Sequence, residues 1–241
     1  MADSLLDVRI GLLGGFEVWN GETAIRLPLA AQRLLAVLAL RDRGLHRTSA
    51  AELLWPAGRR GRAAANLRSA LCLARRVEGT TVIECDGQRL RLASDIGVDQ
   101  QSASVIAHHL MGSDRHSPPG AIGRELISAL SRALLPDWLD EWLLLERERW
   151  DQIRLHALEK LALDLLAADS YYPALEAAYA AIAVDPVRES AHRTVMQVYL
   201  AEGNTVSAHK HYQRYQASVQ REIGVPPSRQ MTDLLRVASG H

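Results

Sequence analysis

Residues 49–77 read SAAELLWPAGRRGRAAANLRSALCLARRV, two helical patterns in succession with a proline between them. Ser49-Ala50-Ala51-Glu52 is a capping-box start, and Leu53, Leu54 and Trp55 supply the apolar side of a short helix. Pro56 ends it, and Pro56-Ala57-Gly58 is a short loop. A further helix is predicted from about Gly61 to Val77. At 100° per residue, Ala63, Ala64, Leu67, Ala70, Leu71 and Ala74 share one face. The opposite face carries Arg62, Ala65, Asn66, Ser69, Cys72, Leu73 and Arg76, with Arg68 and Arg75 at the boundary. Between residues 53 and 77 stand six arginines, the other two being Arg59 and Arg60, and no acid. An arginine-bearing helix that follows a short one is a common way to meet a polyanion such as DNA.

The flanks extend this pattern on both sides. Val8, Ile10 and Leu12 alternate with Arg9, Gly11 and Leu13 as a strand. Phe16, Val18 and Trp19 follow, then the tight-turn dipeptide Asn20-Gly21 and a second arm with Ile25 and Leu27, closed by Pro28. Leu34, Leu35, Val37, Leu38 and Leu40 form a helical stripe that stops at Gly44. Beyond Gly79, Val82–Cys85 and Gln88–Leu92 flank Asp86-Gly87, which predicts a hairpin with a type I′ turn. Sheet, three helices and hairpin in that order outline a winged helix-turn-helix of the α+β class over residues 1–95, with an N-terminal sheet. In such folds the third helix enters the major groove and the wing lies over the adjacent backbone.

From Ser94 the pattern turns nearly all-helical, with an exposed loop at residues 112–120. An internal repeat appears at an offset of 34: Ala157 matches Ala191, Leu161 matches Val195, and Ala174 matches Ala208. Asp169-Ser170 matches Gly203-Asn204, and Asp185-Pro186 ends the first unit. That is the tetratricopeptide period, and it predicts an all-α, tetratricopeptide-like domain over residues 96–241. Such arrays offer a concave surface to a peptide or protein and seldom a catalytic centre.

Composition narrows the function classes. The 28 Lys+Arg balance 28 Asp+Glu, yet residues 1–92 hold 14 arginines against 9 acids and the rest 14 cations against 19 acids. A net +5 half joined to a net −5 half points to an anion-binding N-terminal part. No apolar run is long enough to span a bilayer, and Met1-Ala2-Asp3-Ser4 does not open a signal peptide, so a cytoplasmic, nucleoid-associated protein is expected. The two cysteines, Cys72 and Cys85, read as free thiols. His108, His109, His209 and His211 lack convergent ligands, so neither a metal nor another cofactor is expected. No phosphate loop or nucleophile elbow is present, which argues against an enzyme. Trp138, Trp142, Trp150, Tyr171, Tyr172, Tyr199, Tyr212 and Tyr215 are spaced as helical core residues.

The candidate site residues divide by task. Arg59, Arg60 and Arg62, beside a helix N-terminus, are suited to clamping phosphates. Asn66, Ser69 and Arg76 face outward and can reach base edges, asparagine toward adenine and arginine toward guanine. Arg68 and Arg75 either join them or pair with acids of a neighbouring helix. Arg89 and Arg91 alternate with Leu90 and Leu92 and are candidate wing contacts. A merely solvated charged surface is the competing reading of the arginine run.

Several motifs add a resemblance. Pro136-Asp137-Trp138-Leu139-Asp140-Glu141-Trp142 with Glu146-Arg147, the stretch Asp185–Arg193, Gly203 with Ala208 and Tyr212, and Ile223–Ser228 resemble the bacterial transcriptional activator domain. Leu13–Val18, Leu38-Ala39-Leu40, Leu53–Pro56 and Asn66–Leu71 look like the winged helix that precedes it. Together the chain is similar to the Streptomyces antibiotic regulatory protein (SARP) family over almost its whole length. The resemblance implies a transcription activator that binds double-stranded promoter DNA and recruits RNA polymerase holoenzyme, for a secondary-metabolite gene cluster. It also implies direct repeats as targets, with a possible homodimer on them. The pattern tends to place a basic residue, leucine and arginine at 73–75; this chain keeps Arg75 but has Leu73 and Ala74 in the first two slots. Leu73 either touches a thymine methyl or weakens the reading of DNA. The rival reading is an interaction or effector-sensing protein with a degenerate winged helix and a tetratricopeptide-like array.

Overall fold

The computed structural model describes residues 8–57, 60–112 and 121–239. The order begins β1 (Val8–Gly11), β2 (Glu17–Asn20), β3 (Thr23–Ala24), α1 (Leu29–Ala39), β4 (Leu45–His46), α2 (Arg47–Leu54) and α3 (Arg60–Ala74). It continues with β5 (Arg76–Val77), β6 (Thr80–Thr81), β7 (Ile83–Asp86), β8 (Arg89–Leu92), β9 (Gly97–Val98) and α4 (Asp99–Gly112). The remainder is α5 (Ala121–Leu130), α6 (Trp142–Ala167), α7 (Tyr171–Val184), α8 (Glu189–Ala201), α9 (Thr205–Glu222) and α10 (Arg229–Ser239). Two compact units form, Met1–Ser102 with Ala133–Glu148, and Ala103–Arg132 with Arg149–His241. They differ from the stretches 1–95 and 96–241 drawn from the sequence in that residues 96–102 and 133–148 belong with the first unit.

That unit is the winged helix with its N-terminal sheet. The sheet runs β3-β2-β1-β9, with β9 parallel to β1 through Arg9 opposite Gly97 and Ile10 opposite Val98. The Asp99 carboxylate fixes this corner by accepting from the backbone N–H of Leu12 at 2.8 Å and of Leu13 at 3.1 Å. In α1, Leu34, Leu35, Val37 and Leu38 are fully buried, and the helix packs on α3. The expected hairpin forms, but Asn20 is still in β2 opposite Thr23, so its turn is Gly21-Glu22, with Gly21 at φ 58°.

Residues 133–148 are tied to this unit by backbone and side chain. Leu13 bridges Leu134, and Phe16 stacks on Trp138. Arg33 pairs with Asp140, Arg41 with Glu146 at 3.0 Å, and Arg147 donates to the carbonyls of Leu134, Leu135 and Trp138. The motif Pro136–Arg147 thus has a structural task.

Three local expectations shift. Helix α2 opens two residues before Ser49, capped by His46, whose Nδ1 accepts from Thr48 N–H at 3.3 Å. Asp86 is still in its strand opposite Arg89, so the wing turn is Gly87-Gln88. Only Gly87 has positive φ there, at 55°, which is the sign pattern of a type II′ turn; both residues of Glu78-Gly79 are positive instead. Helix α3 stops at Ala74, so Arg76 leaves the helical face and pairs with Thr81 in the β5-β6 ribbon.

The second unit is all-helical and tetratricopeptide-like. Shifting α8 by 34 residues lands it on 155–167, the last half of α6, and the start of α9 falls on the start of α7. The matched crossing residues Ala157, Ala191, Ala174 and Ala208 are all fully buried, because only a small side chain fits between helices there. At the matched turns Asp169 and Gly203 both take positive φ, 54° and 77°. Helix α8 packs between α7 and α9, and α10 covers Met196, Tyr215 and Val219 with Met231. Among the aromatics expected in the core, Tyr172 is instead 71% exposed. The loop residues 113–120 lie outside the described residues.

Candidate nucleic-acid interface

Helix α3 is held from behind. Ala63, Leu67, Ala70, Leu71 and Ala74 are buried, and the helix packs against both α1 and α2. That leaves one long face outward, with Arg62, Arg68, Ser69, Cys72 and Leu73 exposed and Asn66 half-buried. Arg75 and Arg76 are exposed just beyond its end. Leu73 sits on this face at 49% exposure.

Pairing decides how much of the charge is available. Among the described residues, Arg62, Arg68, Arg75 and Arg76 form no ion pair, so the acid partners contemplated for Arg68 and Arg75 do not exist there. The Ser69 hydroxyl donates to Ala65 O at 3.3 Å, which leaves it mainly an acceptor toward a base. The wing arginines are more constrained. Arg89 Nε donates to Arg43 O at 2.9 Å, and Arg91 Nε donates to Glu84 at 2.6 Å across the hairpin. Arg91 therefore brings little net charge to a backbone unless it swings off Glu84. Arg59 lies outside the described residues; Arg60 opens α3, its side chain being undescribed.

One cation escaped the reading of the sequence. Arg47 opens α2 and lines a cavity of about 440 Å³ together with Arg68, Arg75 and Arg76. Its role depends on α2 starting at 47, which the capping-box reading at Ser49 hid.

The second unit holds its ionisable groups differently. His192 and His211 are buried, with Nδ1 of the first 3.0 Å from Nε2 of the second. Burial lowers both below the ordinary histidine value, His211 to about 4. Glu159 accepts from Arg188 and Ser190; burial raises its carboxyl, but these bonds outweigh it and hold it below the usual range. Among the described residues no group of three His, Cys, Asp or Glu side chains could hold a metal ion, and no helix is long and apolar enough to cross a membrane.

Comparison with known proteins places these features. Residues 127–237 match the family described as "Bacterial transcriptional activator domain". No curated protein matches the chain. A solved structure of Mycobacterium tuberculosis EmbR in complex with a low affinity phosphopeptide superposes with a TM-score of 0.72 at 16% identity. The match covers 97% of this chain and 65% of that one, so the chain spans about two thirds of its length. These findings bear out the SARP-type resemblance: a winged helix followed by a bacterial transcriptional activator domain.

Proposed function

We propose that this chain, whose residues 127–237 match the bacterial transcriptional activator domain family, is a SARP-type activator that binds promoter DNA through its winged helix. The observation that carries the reading is the outward face of α3, whose Arg62 and Arg68 make no ion pair among the described residues, on a helix packed against α1 and α2. Arg62 and Arg68 would straddle the major groove, and Arg59 and Arg60 would serve as further phosphate contacts. Asn66 and Ser69 would meet base edges, and Arg76 would meet the backbone from beyond the helix end. Arg89 and Arg91 would serve the wing, Arg91 after exchanging Glu84 for phosphate.

The tetratricopeptide-like unit would then present RNA polymerase holoenzyme with a protein surface, and two copies would sit on direct repeats of a promoter for secondary-metabolite genes. The protein acts in the cytoplasm, at the nucleoid, and carries out no catalysis in this account. Run-off transcription from its own operon promoter tests it. Adding the full chain raises transcript yield, and Arg62→Ala with Arg68→Ala abolishes the rise. Unstimulated transcription, with no footprint upstream of the promoter, overturns it.

A further inference from the structure

Four arginines from neighbouring parts of the chain converge on one cavity of about 440 Å³: Arg47 at the head of α2, Arg68 on α3, and Arg75 and Arg76 just past its end. Cys72 on α3 and Cys85 on β7 complete its wall, and no carboxylate lines it. None of the four guanidinium groups makes an ion pair among the described residues. Four like charges around one concavity repel one another and focus a positive potential into it. An anion relieves that repulsion, and planar guanidinium forks match a phosphate in bidentate fashion. The positive end of the α2 dipole lies at Arg47 and adds to the field.

We propose that this cavity is a phosphate seat, filled in the working complex by phosphodiester groups of the duplex whose groove receives α3. The inference rests on the DNA-binding reading and deepens it. It assigns Arg47 and Arg75 to DNA, and it separates this cluster from Asn66 and Ser69. The seat fixes position on the backbone and reads no sequence. The Arg91–Glu84 pair reduces the charge the wing can offer, and the seat adds charge beside it.

The two thiols in the wall report on the seat directly in the full-length chain. Cys72 is exposed and Cys85 half-buried, so Cys72 reacts first. Its modification by a sulfonate-bearing and by a trimethylammonium-bearing methanethiosulfonate is followed by site-resolved mass spectrometry. The focused field makes the anionic reagent faster by about tenfold or more. Inorganic phosphate and Arg47→Ala/Arg75→Ala each collapse that preference, and operon duplex shields Cys72 from both reagents. In anisotropy titrations the double variant loses about 1.8 from the slope of log K against log salt, at about 0.9 for each phosphate contact. Its ratio of operon to scrambled-duplex affinity stays at the wild-type value. Equal rates for the two reagents, or an unchanged salt slope in the folded double variant, overturn the seat while leaving the DNA reading intact. Failure of the wild-type chain to bind any duplex overturns both, and the thiol rates then show whether the cavity holds free phosphate only.

Discussion

Acidification from pH 7.5 to 4.5 should unlock the buried histidine pair between α8 and α9. The geometry dictates one tautomer for each ring. His192 Nε2 is 3.0 Å from the Pro186 carbonyl, which only accepts, so that nitrogen carries the proton and Nδ1 is the acceptor. His211 Nε2, 3.0 Å from that Nδ1, must then donate. Both rings are neutral, and a second proton on His192 would set donor against donor. The groups around them are Tyr179 on α7, Asp185 just past its end, Tyr199 on α8, and Arg214 and Tyr215 on α9; Asp185 opposes the lowering at His192. Burial is the main cause that lowers His211 to about 4, with His192 and Arg214 adding to it. Unfolded, the same ring titrates near 6.5. The unfolded chain therefore takes up the proton first, so the stability is fully present above pH 6.5 and is lost as pH falls toward 4. Between pH 6.5 and 4.5, about 2 pH units at 1.36 kcal/mol per unit make the loss about 3 kcal/mol. For a chain of this size that lowers Tm by roughly 6–12 °C. Thermal melts of the wild type and of His211→Phe, which keeps a ring and removes the titration, measure the term by difference. The wild type should lose several degrees more than the variant over this range. Parallel Tm–pH curves would refute the reasoning.

Three further outcomes follow from other parts of the chain. Gly44 has φ +62°, and a Cβ there would stand 2.2 Å from Leu90 O, so Gly44→Ala should cost more than about 3 kcal/mol in urea unfolding; a loss under about 1 kcal/mol contradicts the placement. Asp99→Ala strips the acceptors from three backbone N–H groups, those of Leu12, Leu13 and Gln100, and should cost about 3 kcal/mol, with Asp99→Asn recovering part of it; equal losses for both variants would count against the hydrogen-bonding role. Leu73→Ala should leave stability within about 0.5 kcal/mol, and its DNA-binding loss should match that caused by replacing one thymine with deoxyuridine. If no single thymine reproduces the loss, Leu73 does not read DNA.

Legibility in the sequence followed the range of the interactions. The repeat was readable because Ala157, Ala174, Ala191 and Ala208 fall at one offset, and small residues at helix crossings are set by local periodicity. The winged-helix order was readable from capping, proline and turn signals around Leu34–Leu40 and residues 49–77. Two-residue strands have no periodicity, so β4 beside β8 and β9 beside β1 left no mark. The start of α2 was misplaced because a histidine ring caps it in place of Ser49, and that hid Arg47. Likewise the fates of Arg89 and Arg91 depend on hairpin register and on Arg43 O, 46 residues away from Arg89. The motif Pro136–Arg147 looked like a family mark, but only its long-range bonds to Leu13, Phe16, Arg33 and Arg41 gave it a structural task.

DNA recognition by α3 is tested by fluorescence anisotropy of the full-length chain. Labelled duplex from upstream of its own operon is titrated beside a scrambled duplex of equal length, at 50 to 200 mM salt. Binding to the operon duplex should be tighter at every salt concentration, with log K falling against log salt by about 0.9 per phosphate neutralised. Asn66→Ala should narrow the gap between the two duplexes while Arg62→Ala weakens both alike. Equal affinity for the two duplexes throughout, or no binding at 50 mM salt, would contradict DNA recognition by α3.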